Sequence, residues 1–244
     1  MKIRIRFSKT GILRFIGHLD LMRTFQKAAA RADLPLRFSE GFHPHPLMSF
    51  ASPLSVGETS CGEYMDTELT ASMAGTEILD RLNAALPEEI RCLSIRQLPD
   101  EEKKKNNNAM AIFGRADYAV RIRPPYDELL SASDPAAMIS AYLAQPARNI
   151  IKKTKRSESN VDILPYIYEL SFSDGTFTMQ LNAGSKVNLK PEVVMEDLLA
   201  FSGINGFEKV FSEEVPRDLR LEIVRLDMLT DEGVSLSQTG VPLP

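Results

Sequence analysis

Hydrophobic and polar residues alternate from the first positions of the chain, with Ile3, Ile5 and Phe7 falling between Lys2, Arg4, Arg6 and Ser8. A period of two sends successive side chains to opposite faces, so this stretch predicts a strand with one buried and one polar face. Thr10-Gly11 marks a turn, and Ile12 to Ile16 read as a continued extended run. From Gly17 the spacing changes. Leu21, Met22, Phe25, Ala29 and Ala32 share one side of a helix, while Arg23, Lys27 and Arg31 recur on another. Leu34-Pro35 closes it, because the residue before a proline avoids helical angles. Leu36 to Ser39 then predicts a strand entering a loop over residues 40–46, and Leu47 to Ala51 resumes extended chain. A strand over Glu63 to Leu69, a helix over Gly75 to Leu86 and a strand over Ile90 to Ile95 complete the order β-α-β-β-α-β.

The polar, low-complexity run beginning at Pro99 reads as a linker over residues 99–114. Beyond it the order recurs. Strands are expected over Tyr118 to Ile122, Tyr166 to Phe172 and Thr176 to Leu181, with Asp174-Gly175 as a hairpin turn. Helices are expected over Pro135 to Leu143 and from Pro191 to Leu199, and a last strand over Leu219 to Leu226. The fold class is α+β, as two tandem ferredoxin-like halves over residues 1–98 and 115–230, with 231–244 as a mobile tail.

Composition adds constraints. The 244 residues are 43% hydrophobic and 25% charged, as expected of a chain that buries a core. No apolar run approaches the roughly 18 residues of a membrane span, so no membrane partner is expected. The opening residues lack the basic start and apolar run of a signal peptide, which points to the cytoplasm. Cys61 and Cys92 stand in unrelated contexts, without the spacing that holds zinc or an iron–sulfur cluster, and no cofactor is expected. The net charge of −4 conceals an asymmetry: residues 1–50 carry nine Lys/Arg against three Asp/Glu, and all three histidines.

That asymmetry suggests a local anionic partner. With Ile3, Ile5 and Phe7 facing the core, Arg4 and Arg6 are expected on an open sheet face. Arg37 is expected beside them, and Lys153, Lys155 and Arg156 add a second basic group. These six are the candidate phosphate contacts for RNA, although a solvated polar face gives the same alternation. His18, at a helix start, and His43 and His45, alternating with prolines, form a second group. They are candidate catalytic residues and a weaker candidate metal set, against the plainer reading of a capped helix and a structural loop. The tandem layout, with a histidine opening the first helix, is similar to that of CRISPR repeat-processing endoribonucleases. There His18 would act as general acid or base, with Tyr64 or Lys9 stabilising charge.

Longer motifs point to a family. Residues 6–57, RFSKTGILRFIGHLDLMRTFQKAAARADLPLRFSEGFHPHPLMSFASPLSVG, together with GEYMDTEL at 62–69 and KKTKRSESNVDILPYI at 152–167, resemble the radical-SAM-associated family. Its members are encoded beside, or fused to, radical SAM proteins with a cobalamin-binding-type region, often near ribonuclease G and ribosomal-protein genes. The resemblance implies an accessory role in tRNA or rRNA modification or processing. The radical SAM enzyme would be a separate partner protein. A protein-only adaptor and a metal-independent endoribonuclease stand as alternatives.

Overall fold

The computed structural model describes residues 1–99, 107–153, 158–184, 187–212 and 214–244, without the side chains at 152, 153, 158 and 159. Lys155 and Arg156 therefore lie outside the described residues, as does the side chain of Lys153. The architecture is mixed α+β, and the contacts divide it into two units. Residues 1–114 and 225–244 form the first, and 115–224 the second.

The first unit begins with β1 (Lys2–Lys9), a 3-10 turn over Gly11–Phe15, and α1 (His18–Arg31). β2 (Met48–Phe50), β3 (Thr59–Glu68), α2 (Gly75–Ala85), β4 (Ile90–Gln97) and the short α3 (Ala109–Ile112) follow. β1 lies between β3 and β4, antiparallel to both, so that Ile5 is flanked by Met65 and Ile95; β2 adds to β3. Ile3, Ile5 and Phe7 point to one face, where Leu21 and Phe25 of α1 and Ile78 and Leu82 of α2 close the core. Phe7 and Phe25 meet edge to face at 4.8 Å, and Phe25 is fully buried. Burying one such side chain stabilises by about 1.5–3 kcal/mol. The expected extended run at Ile12 to Ile16 is instead the 3-10 turn. Gly11 opens it at φ +54°, a value that favours glycine.

In the second unit, β5 (Arg115–Ile122) is followed by α4 (Pro135–Leu143) and the hairpin β6 (Asn149–Lys153) and β7 (Glu158–Asp162). Next come β8 (Ile167–Ser173), β9 (Thr176–Asn182), α5 (Pro191–Phe201) and the short α6 (Glu208–Phe211). The side chain of Asp134 caps α4 by accepting from the N–H groups of Ala136 and Ala137. Asp174 and Gly175, at φ +50° and +72°, make the tight β8–β9 turn expected from that pair. The spacing predicted no strand over residues 149–162, where β6 and β7 pair antiparallel.

β10 (Leu221–Leu229) contributes to both units. Residues 221–224 belong to the second unit, where the strand order is β10-β5-β9-β8, and residues 225–229 to the first. The final residues were expected to be mobile, but they pack on the first unit. Leu236 is fully buried, and β11 (Val241–Pro242) pairs with β4. The N–H of Gly75 donates to the carbonyl of Pro244 at 2.6 Å. The expected linker also joins this unit from residue 107 to 114, where Ala109 is fully buried and Phe113 nearly so. Among the described residues, no helix is long and apolar enough to cross a membrane.

Candidate functional site

The polar side of β1 is covered. The guanidinium of Arg4 makes a two-pronged contact with Asp66, 2.7 Å from Nε to Oδ1 and 2.8 Å from Nη2 to Oδ2. It also donates to the carbonyl of Asn107 at 3.0 Å and to Thr239 Oγ1. Asp66 accepts a further bond from the N–H of Ala109 at 2.7 Å. Arg4 is only 1% exposed, so its expected place on an open face is corrected. Alternation put it opposite the core, but residues 107–109 and 235–239 close over that side.

The neighbouring charges are similarly engaged. Arg6 is half-buried, its Nη2 3.9 Å from Asp227 Oδ1. The same carboxylate accepts from the Tyr64 hydroxyl at 2.5 Å and from Ser235 Oγ at 2.6 Å. Burial and the Asp227 bond push the Tyr64 hydroxyl up to about 12. Farther along, Glu63 and Arg225 form a buried two-pronged pair at 2.7 and 2.8 Å. Lys9, also buried, donates to the carbonyls of Ile16 at 3.0 Å and Arg14 at 3.5 Å. Burial lowers its pKa, an effect opposed by Glu63 and Glu58. Tyr64 and Lys9, expected to stabilise charge in a nuclease, are thus interior groups with structural partners.

The histidines do not converge. The His18 ring packs edge-on against Phe50 at 5.4 Å, in the first turn of α1. His43 and His45 are exposed on the 37–47 loop, where His45 Nδ1 is hydrogen-bonded to Ser39 Oγ at 2.9 Å. Among the described residues no group of three or more His, Cys, Asp or Glu is placed to hold a metal ion. The expected metal set is therefore not assembled.

What the structure does present is that loop. The N–H of Ser39 donates to the carbonyl of His45, and the N–H of Leu47 to that of Arg37, so the segment folds back as an irregular hairpin. Phe38 bridges to Pro46 across it. The tip carries Phe42, whose side chain is completely exposed at 101%, while Phe38 is 51% exposed. A tip of glycine and alternating prolines has too few neighbours to bury an aromatic ring, so Phe42 stands clear. At the base, Arg37 Nη1 donates to Glu68 at 2.7 Å yet keeps over half its side chain in solvent.

Two cavities flank the hairpin base and share Lys2, Leu47 and Glu68. One, of about 690 Å³, is bounded by Arg37, Phe38, Ser39 and Glu40. The other, of about 340 Å³, runs past Met48, Ser49 and Thr67 toward Asn107. A lysine and an arginine beside half-apolar walls, on a hairpin that also carries an exposed aromatic tip, suit a ligand with both a flat ring and an anionic group. Phe38 and Phe42 were missed as site residues, although the flanking Gly41, Pro44 and Pro46 carried the signal. Of the expected phosphate contacts, Arg37 alone belongs to this arrangement among the described residues.

Residues 2–191 match the model of a bacterial family described as an uncharacterized protein conserved in bacteria (DUF2344). No curated protein matches the chain.

Proposed function

From the premise that the chain belongs to this bacterial family, we propose that it is a non-catalytic accessory protein that binds RNA and presents it to a separate radical SAM enzyme. The RNA is a tRNA or rRNA undergoing modification or processing in the cytoplasm. The enzyme partner rests on the motif resemblance at residues 6–57, 62–69 and 152–167. Within this sequence Cys61 and Cys92 are too few to hold such an enzyme's iron–sulfur cluster. We read the strand orders β4-β1-β3-β2 and β10-β5-β9-β8 as two tandem ferredoxin-like halves.

The observation that carries the RNA reading is the hairpin, with Phe42 fully exposed at its tip and Arg37 and Phe38 of its base lining the cavity at Lys2. An exposed ring offers a base its π-face, and stacking of this kind contributes about 1–3 kcal/mol per base. Lys2 and Arg37 supply the phosphate contacts, which lose strength as salt rises. The contact surface is thus the hairpin and not the face of β1.

The test is binding of purified protein to bulk tRNA and rRNA fragments at two salt concentrations with EDTA present. Phe42→Ala is expected to weaken binding about tenfold, in line with one lost stack, at unchanged thermal stability. Binding that is absent at low salt, or indifferent to Phe42→Ala and Arg37→Ala together, overturns the reading. Cleavage of the RNA in the same samples would favour the endoribonuclease alternative with His18.

A further inference from the structure

The smaller cavity beside the hairpin holds polar groups that the fold leaves uncommitted. Lys2 stands opposite Glu68 across β1 and β3, and Asp66 stands opposite both Arg4 and Ser49 of β2. Alternation therefore puts Lys2, Glu68, Asp66 and Ser49 on the face away from the core residues Ile3, Met65 and Phe50. All four border the cavity of about 340 Å³, which Leu47, Leu98 and Pro99 line with apolar surface and Asn107 completes. Its other polar groups are occupied. Asp66 accepts from Arg4 with both oxygens, and from the N–H of Ala109. Glu68 accepts from Arg37, Thr67 donates to the carbonyl of Leu47, and the Asn108 side chain accepts from the N–H of Ala111. Among the described residues, the Lys2 ammonium, the Ser49 hydroxyl and the Asn107 carboxamide make no hydrogen bond or ion pair. Their backbone is nevertheless fixed, Lys2 and Ser49 in strands and Asn107 by the bond its carbonyl accepts from Arg4 at 3.0 Å.

We propose that this cavity receives one purine base of a single-stranded RNA, with Asn107 and Ser49 on the base edge and Lys2 on its phosphate. RNA binding itself rests on the reading above; base selection is what this pocket adds. An apolar side chain in this place would strip water from three polar groups and give nothing back. A sugar or a lone phosphate would leave Leu47, Leu98 and Pro99 uncovered. A flat heteroaromatic ring answers both, its faces against the aliphatic walls and its edge toward a carboxamide, which offers a donor and an acceptor side by side. Size favours a purine. A cavity of about 150 Å³ holds one benzene ring, so about 340 Å³ admits two fused rings. Charge agrees, since each carboxylate lining the cavity already answers a guanidinium and the Lys2 charge is left for a phosphate. The further acid nearby, Glu40, is exposed and borders the neighbouring cavity.

The test uses the full chain and fluorescein-labelled RNA octamers of uridine, with adenosine, uridine or an abasic site at one central position. Fluorescence anisotropy is expected to show the adenosine octamer binding at least about tenfold tighter than the other two. Ser49→Ala/Asn107→Ala, which removes no side-chain bond that the fold makes, is expected to erase that preference while abasic-octamer binding and the melting temperature stay unchanged. Equal binding of the adenosine and abasic octamers, or a preference that survives the double variant, overturns the proposal. The RNA reading stands in that case if Phe42→Ala still weakens every octamer. No binding of any octamer overturns it too, and absence of bulk tRNA binding in addition removes the RNA reading beneath it. Adenosine 5′-monophosphate binding more tightly than the adenosine octamer, by calorimetry, overturns it as well, by assigning the cavity to a free nucleotide.

Discussion

Replacing Asp66 with alanine tests the arrangement beneath β1 most directly. The substitution removes both carboxylate oxygens facing Arg4 and the acceptor for the N–H of Ala109. Arg4 is 1% exposed and cannot turn to water without displacing residues 107–109 and 239. An unpaired charge in such a place costs about 3–5 kcal/mol, far more than the net contribution of the pair itself. With a urea slope of about 2 kcal/mol per molar, the unfolding midpoint of the first unit should fall by about 2 M. Arg4→Met/Asp66→Leu removes both charges and should recover most of the loss, because matched apolar replacements of buried pairs are near neutral. Far-UV circular dichroism against urea, with tRNA affinity measured on the folded fraction, separates the outcomes. The reasoning is refuted if Arg4→Met alone keeps wild-type stability and loses RNA affinity, as a surface phosphate contact would.

Further expectations follow from other buried groups. Tyr64 ionises near 10.0 when unfolded and at about 12 when folded. The folded state therefore holds more protons between those values, and stability falls as pH rises through the window, by about 2 kcal/mol at pH 12. Tyr142, also raised, acts in the same direction, whereas Lys9, lowered, favours folding as pH climbs toward 10.5. Tyr64→Phe should flatten the decline measured by urea titration above pH 10, and an unchanged slope would refute the assignment. Burial pushes the Cys92 thiol up to about 12, while Cys61 is exposed. Iodoacetamide should label Cys61 in the native protein and both thiols in urea, as read by mass spectrometry. Leu236→Ala should destabilise by about 2–5 kcal/mol, as a fully buried leucine does, whereas a mobile tail predicts no change in the melting curve.

The elements that the sequence located are those whose signal is periodic over several residues. Ile3, Ile5 and Phe7, and the Leu21–Phe25–Ala29 face of α1, reach the core as their spacing predicts. Asp174-Gly175 turns the chain where such a pair can adopt positive φ. The RFSEGFHPHP motif at 37–46 also marked a special loop in advance, but its histidines drew attention away from Phe42, whose importance lies in what fails to cover it.

Local periodicity says which residues leave the core and nothing of what awaits them on the other side. Arg4 meets Asp66 from 62 positions away and Thr239 from 235 positions away. Its burial was settled only when α3 and the final segment closed over β1. The histidines illustrate the converse, since grouping within residues 1–50 did not bring His18 to His43 and His45. Spacing along the chain determined the strands, the helices and their apolar faces, because those depend on a few neighbouring residues. The fate of each charge was decided by tertiary structure, because a buried guanidinium or ammonium is stable only where distant segments bring it partners.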